Sequence, residues 1–414
     1  MDKNKVIAVI DLKAFYSYVE CVDRHLDPWK TPLVVADKER GKNTIILSVT
    51  PYLKSKGVPS RLRIKELPKG FDYIYAVPRM ARYIEKSSEI INIILDFISE
   101  EDLHVYSIDE AFLDLTSYLN YYHKTAEEII LMIMDRIREL TGLEATAGVG
   151  PNFFLAKVAL DIYAKKEHNG IAKMNYSDVK TKLWPITPLN KIWGIGERTQ
   201  AKLNAFGIFN VEQLANSNLL FLKKHFGIMG EQLFNHANGI DEADMHEVYI
   251  PKEHSLNIGQ VLFKDYNKDN IKLIIREMCD DLASRLRKEG YKTSLVYLYI
   301  GYSKEGGFAR QMSLLTPTSN TETLYKALLE IYDKYIEDYP IRRVGLSFGK
   351  FKVDNNQQLS LFDDSQKEIK TNELYAAIDK IHAKYGADSL LRASALTSDS
   401  TQKERNNFIG GHRK

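Results

Sequence analysis

"VYSIDEAFLDL", Val105–Leu115, sets two carboxylates side by side, Asp109 and Glu110, inside a short apolar and aromatic run. Adjacent like charges repel, and both resist burial. In a straight strand the two side chains would point to opposite faces. Ser107 and Asp109 favour a sharp turn that would bring both toward one point. The run therefore reads as two strand-like halves, "DLHVYSI" and "EAFLDLT", hinged at Ser107–Glu110. Far upstream, "KVIAVIDL" (Lys5–Leu12) reads as a buried strand that also ends in an acid, Asp11. Three carboxylates on neighbouring strand ends repel unless cations lie between them. Hard oxygen donors of this kind suit Mg²⁺, with water and substrate phosphates completing the shell. Two such ions would clamp the attacking and leaving oxygens of a phosphoryl transfer. As residues alone, adjacent acids more often mark a solvated turn, and a strand-end acid a helix cap, than a metal site.

The chain has 414 residues, enough for about two to four domains rather than one small core. Lys and Arg total 57 against 55 Asp and Glu, a net charge of +2 that neither requires nor excludes a nucleic-acid partner. The two cysteines, Cys21 and Cys279, are far apart and form neither a disulfide framework nor a zinc pattern. The start lacks the apolar span of a signal peptide. No apolar run reaches the about 18 residues of a membrane span. The expectation is a cytoplasmic protein without a membrane partner.

Strands and helices alternate through roughly the first 175 residues, an α/β pattern. Besides the segments above, strands are expected in "TPLVVADK", "NTIILSVT", "DYIYAVP" and "EATAGVG". Helices are expected over Phe15–Arg24, "PYLKSKGV", Met80–Glu100, Thr125–Leu140 and Phe153–Tyr163. A short helical region follows from about Asp178, then an acidic connector. From Ser255 the order is strand, helix, strand, strand, helix, strand, ending near Phe351. This is a split β-α-β unit of ferredoxin-like type. A further helix is expected over Asn372–Tyr385.

"DLKAFYSYVE" (Asp11–Glu20), followed about ninety residues later by "YSIDEAFLDLT" (Tyr106–Thr116), resembles the Y-family, or translesion, DNA polymerases, in particular the UmuC-like branch of Gram-positive bacteria and their mobile elements. The resemblance covers nearly the whole chain. It implies a multidomain α/β right-hand polymerase: an α/β palm at 1–25 and 71–177, small fingers at 26–70, a helical helix–hairpin–helix thumb at 178–239, a linker at 240–253, a β-α-β-β-α-β little finger at 254–353, and a tail at 354–414. The implied activity is template-directed, low-fidelity addition of dNTPs to a primer 3′ end. The implied setting is DNA damage tolerance within a bacterial SOS response, in the cytoplasm and associated with the nucleoid.

The same resemblance assigns residues. Asp11, Asp109 and Glu110 become the catalytic metal-binding carboxylates, with the backbone carbonyl of Leu12 beside them, for two Mg²⁺ ions with Mn²⁺ as a substitute. Lys13 stands where relatives often carry a second acid and is not counted as a ligand. Tyr16 falls on the steric-gate position, whose ring would exclude a 2′-hydroxyl, with Phe15 next to it. Ser48, Tyr52, Lys54 and Lys157 map to nucleotide phosphate contacts. Pro51 replaces the tyrosine of many relatives, which leaves neighbouring Tyr52 as the aromatic candidate. "GIGERTQAKLNAFGI" (Gly194–Ile208) resembles a helix–hairpin–helix. Its Gly194 and Gly196 permit tight turns, and amides at the next helix start can hold a DNA phosphate; an ordinary αα-hairpin is the alternative. Arg310, Arg342, Arg343, Lys350 and Lys352 supply candidate DNA contacts. "QLSLF", with Gln358, Leu359, Leu361 and Phe362, resembles a sliding-clamp-binding peptide. Primer-template DNA, dNTPs, the bacterial clamp and SOS accessory proteins are the expected partners. A two-metal nucleotidyl cyclase or nuclease, and a non-catalytic DNA or clamp adaptor, are the competing readings. Neither explains the acidic triad together with the hairpin, the late split unit and the clamp-like peptide.

Overall fold

The computed structural model describes residues 5–247, 251, 253–353 and 365–414. The chain divides into two compact units, one on each side of the boundary between residues 248 and 249.

The first unit is organised around β1 (Ile7–Leu12). Its apolar run makes it a central strand, with Ile7, Ala8 and Val9 fully buried. After α1 (Phe15–Val22), a small three-stranded sheet forms from β2 (Leu33–Val35), β3 (Ser48–Val49) and β4 (Ile74–Ala76), with α2 (Pro51–Ser55) following β3. Its order is β3-β2-β4. Next come α3 (Met80–Leu95), β5 (Leu103–Val105), β6 (Glu110–Asp114), α4 (Tyr118–Tyr122), α5 (Ala126–Thr141), β7 (Ala145–Gly150), α6 (Phe153–Val158) and β8 (Ile171–Lys173). The five-stranded sheet has the order β5-β6-β1-β7-β8. α3 is shorter than the expected Met80–Glu100 and gives way to a separate 3₁₀ turn at Glu100–Asp102.

Two glycines set how closely α6 approaches this sheet. A Cβ on Gly148 would lie 2.1 Å from the Ala156 carbonyl oxygen, and one on Gly150 would lie 2.6 Å from the Ala156 nitrogen. Any side chain there would push α6, and Lys157 on it, away from the strands. Beyond the sheet lie α7 (Glu197–Ala205), α8 (Val211–Ala215), α9 (Leu219–Phe226) and α10 (Ile228–Ala237). These helices share one continuous core with the sheet: Ile7, Val9, Phe112 and Phe154 belong to the same buried cluster as Leu203, Leu222 and Leu233.

The second unit follows the expected order: β9 (Ser255–Tyr266), α11 (Ile271–Lys288), β10 (Tyr291–Tyr302), β11 (Gly307–Thr318), α12 (Thr321–Tyr335) and β12 (Ile341–Val353). The antiparallel sheet runs β11-β10-β12-β9. Val296, Leu298 and Ile300 of β10 and Val344, Leu346 and Phe348 of β12 alternate onto the face that packs with α11 and α12. The opposite face is open. α13 (Ser365–Tyr385) begins before the expected Asn372. α13 and the segment after it are strapped onto the unit by long-range polar contacts. Arg392 reaches Asp280 at 2.6 Å, Arg405 reaches Asp281 at 2.8 Å, and Arg287 reaches Asp379 at 2.6 Å. Ser400 and the Thr401 amide bond the buried carboxylate of Glu277.

Candidate active site

Antiparallel pairing of β1 with β6 sets Asp11 directly opposite Glu110. Paired residues share a face, so both carboxylates lie on the side of the sheet that also carries Ile7, Val9 and Phe112. The chain bends over Ser107–Asp109 before β6 begins. Three backbone bonds hold the bend: the Tyr106 and Ser107 amides each donate to the Glu110 carbonyl at 3.0 Å, and the Leu12 amide donates to the Asp109 carbonyl at 2.9 Å. Ser107 Oγ donates to Asp109 Oδ1 at 2.8 Å. The bend leaves Asp109 within electrostatic range of Asp11.

The electrostatics record this crowding. Burial pushes the Asp11 carboxyl up to about 7; Lys165 and Lys157 oppose that rise, and Asp109 and Glu110 add to it. Burial also lifts the Glu110 carboxyl, against the pull of Lys157. The Lys157 ammonium forms a direct ion pair with Glu110 and a second with Asp161 at 3.1 Å. Burial works against its charge, but these carboxylates outweigh it and hold it above the usual lysine range. Lys54 moves the other way. Desolvation in the cleft and the neighbouring charge of Lys165 lower it, although Asp11 and Asp109 oppose the change. Lys165 was not singled out by sequence. Its only signal is a second lysine eight residues after Lys157, without a motif of its own.

Tyr16, on α1, is half-buried, and its ring lies 4.7 Å from that of Tyr83 and 5.7 Å from that of Phe15. Burial first, then Asp109, raises its phenol. The Tyr83 hydroxyl donates to Glu20 at 2.7 Å. Glu20 is fully buried and is held by Arg79 through contacts of 2.9 and 3.0 Å. The gate candidate therefore rests on a ring that is itself fixed by a buried charge network.

Ser48 is buried, 3.0 Å from Ser17 Oγ and 3.3 Å from the Ala14 carbonyl oxygen. Its hydroxyl braces α1. Tyr52 packs edge-on near Phe71, 6.4 Å away. Lys13 pairs with Glu144 at 3.0 Å, in keeping with its omission from the ligand set.

Gly194 takes φ +86° and Gly196 caps the start of α7. A second hairpin, which carries no Gly-x-Gly motif, joins α9 to α10 at Gly227, φ +64°. A Cβ on the following Gly230 would meet the Leu222 carbonyl oxygen at 2.2 Å, so "GIMG" was the signal available.

In the second unit, Arg343 pairs in register with Gly301 and Val261 on the open face, and Lys352 pairs with Lys292. Arg342 bonds Asp265 at 3.1 Å. Lys350 is exposed at a residue with φ +53°. Arg310 is placed differently. It pairs with Leu298, whose side chain faces the helices, and its guanidinium lies 5.0 Å over the Tyr335 ring. The peptide Gln358–Phe362 lies outside the described residues.

The fold and site define an α/β protein with acids set opposite one another at a strand end and helical hairpins that share the sheet's core. The chain belongs to the impB/mucB/samB family, the Y-family translesion DNA polymerases. The family model matches residues 10–161, its helix–hairpin–helix motif model matches 176–208, and its C-terminal domain model matches 254–361. The chain is 36% identical to "Putative UV-damage repair protein UvrX" of Bacillus subtilis (strain 168), over 99% of this chain and 98% of that one. It is 32% identical to "DNA polymerase IV 2" of the same organism over the full length of both. A solved Y-family DNA polymerase chimera shares the fold, with a TM-score of 0.66 at 21% identity, covering 84% of this chain and 99% of that one.

Proposed function

We infer that the chain is a DNA-directed DNA polymerase that extends a primer with dNTPs on a damaged or intact template, in bacterial damage tolerance. Family membership supports the activity. The observation that carries the residue assignment is the register pairing of Asp11 with Glu110 beside the bend at Asp109.

A divalent cation is implied by this family. Among the described residues no three acidic, histidine or cysteine side chains are gathered into a closed metal cluster. The donor chemistry nonetheless fits: three hard carboxylates, one of them neutralised by a lysine that a cation could replace. Asp11, Asp109 and Glu110, with the Leu12 carbonyl, would hold Mg²⁺ or Mn²⁺. Two bound ions would supply charge neutralisation at the transferred phosphate.

The chain's own residues do the rest. Lys54, Lys157 and Lys165 place positive charge where a triphosphate would lie. Tyr16, backed by Tyr83, forms a wall against a sugar 2′-hydroxyl. The hairpins at Gly194–Gly196 and Gly227 offer amides to DNA phosphates, which position the duplex without reading bases. Arg343, Lys350 and Lys352 would hold backbone along the open sheet face. Gln358, Leu359, Leu361 and Phe362 would engage the sliding clamp, which raises effective concentration at the primer end. SOS accessory proteins are further partners in this reading. No helix among the described residues is long and apolar enough to cross a membrane.

Primer extension on a defined template with Mg²⁺ tests the reading. Wild type should add single nucleotides, and E110A should bind the primer-template without extending it. Normal extension by E110A would refute the site.

A further inference from the structure

Trp193 immediately precedes the first hairpin glycine, Gly194. Its indole N–H donates to the Tyr106 hydroxyl at 3.1 Å. The two rings meet edge to face at 5.9 Å, and the indole also lies 6.2 Å from the Phe112 ring. Phe112 in turn packs 4.9 Å from Phe153, the first residue of α6. On its other side Trp193 lines a cavity with Phe154, Leu214, Leu233 and His236.

Tyr106 is no ordinary surface residue. Its amide is one of the two that bond the Glu110 carbonyl, so it forms the outer anchor of the bend carrying Asp109. Its side chain is 46% exposed and is held by two neighbours, Trp193 and the Phe112 ring, which it meets edge-on at 5.7 Å. Among the described residues Asp109 makes no ion pair. Its placement comes from Ser107 and the backbone of the bend. The Trp193 side chain is therefore a tertiary contact that ties this bend to the hairpin.

We propose that Trp193 is a positioning residue: it couples the DNA-gripping hairpin at Gly194–Gly196 to the bend that carries Asp109, so that duplex binding steadies this carboxylate. The inference rests on the polymerase reading of both sites. An indole suits the role because it offers a rigid surface and one directed donor. The hydrogen bond adds a directed restraint to the edge-to-face packing of the phenol on Phe112 and Trp193.

The test uses the full chain with W193F, which keeps a ring and loses the donor, Y106F, which loses the acceptor, and W193L. Each Phe variant should lower kcat about two- to tenfold, the worth of one intramolecular hydrogen bond. Each should also raise the Mg²⁺ concentration for half-maximal rate by a similar factor. The double variant W193F/Y106F should be no worse than either single one, because both remove the same link. Hydrogen exchange gives a readout without turnover. Primer-template without nucleotide should increase protection of amides 106–110 in wild type but not in W193L. Additive effects of W193F and Y106F, or an equal gain of protection in W193L, would overturn the coupling. D109A separates this outcome from failure of the underlying reading. If D109A retains extension, the metal assignment and the coupling fall together. If D109A is inactive and the Phe variants are additive, the coupling alone falls.

Discussion

Replacing Asp11 by Asn removes a carboxyl whose ionisation the fold opposes. Burial, with the neighbouring Asp109 and Glu110, takes it from 3.8 to about 7, even though Lys165 and Lys157 pull it down. Because the folded-state value lies above the unfolded one, this group favours folding fully below about pH 4, and that contribution is lost as pH rises through about 7. Each pH unit between the two values is worth about 1.4 kcal/mol. Ionised Asp11 therefore costs the metal-free protein at most about 4 kcal/mol near pH 8, less to the extent that water reaches its partly exposed side chain. D11N should accordingly melt several degrees above wild type in chelator at about pH 8, by a smaller margin at about pH 5, and close to it only below about pH 4, given about 2–4 °C per kcal/mol for a unit of this size. Mg²⁺ should reverse the order. Wild type gains stability from the ion and D11N gains little, because a ligand is missing. Below about pH 7 the apparent Mg²⁺ affinity of wild type should fall about tenfold per pH unit, since the ion must displace one proton. Calorimetric melts over this pH range, with chelator and with Mg²⁺, give both comparisons. A D11N protein no more stable than wild type at about pH 8 in chelator would refute the crowding argument.

Three further outcomes are expected. Y16A should accept ribonucleotides, measured as a fall in the ratio of kcat/KM for dNTP over rNTP; an unchanged ratio would remove the gate role. Alanine at Arg343 and at Lys352 should each lower the slope of log binding constant against log salt by about 1, while R310A should leave the slope unchanged because its side chain stacks on Tyr335. Alanine at both Leu361 and Phe362 should preserve basal synthesis and abolish stimulation by the clamp in a primer-extension assay; equal stimulation would move the clamp contact elsewhere.

The parts legible in the sequence are those with local signals. Alternation of buried and open residues ran through whole strands of the second unit, so the order strand, helix, strand, strand, helix, strand could be read directly. The hinge between "DLHVYSI" and "EAFLDLT" was legible because Ser107 and Asp109 make a turn there. Arg310 stands out in the sequence by charge alone. Its neighbour Phe308 is buried on the helix side, and the two share a face, but this becomes decisive only once the partner Leu298 is known. The tail after residue 385 carried no periodicity. Its order comes from isolated long-range pairs such as Arg392 with Asp280 and Arg405 with Asp281, which no spacing announces. Lys165 was hidden for the same reason: its effect on Asp11 depends on how closely α6 and the turn after it approach the sheet, a distance set by two glycines on another strand.

The acidic bend can now be understood as a problem that the chain solves in three different ways. Glu110 is neutralised by a built-in cation, Lys157, brought close because Gly148 and Gly150 let α6 lie on the strand. Asp11 has no such partner among the described residues, and burial holds it near the point where it keeps its proton. Asp109 is turned out of the strand and steadied by Ser107. Each arrangement is one that a divalent cation would undo, by displacing the lysine, the proton and the hydroxyl in turn. A site optimised for stability alone would have placed one more lysine beside Asp11 or an Asn at its position. Keeping three unequal acids is intelligible if their common partner arrives from outside the chain, and the freed Lys157 is then left beside the phosphates that the same cation would hold.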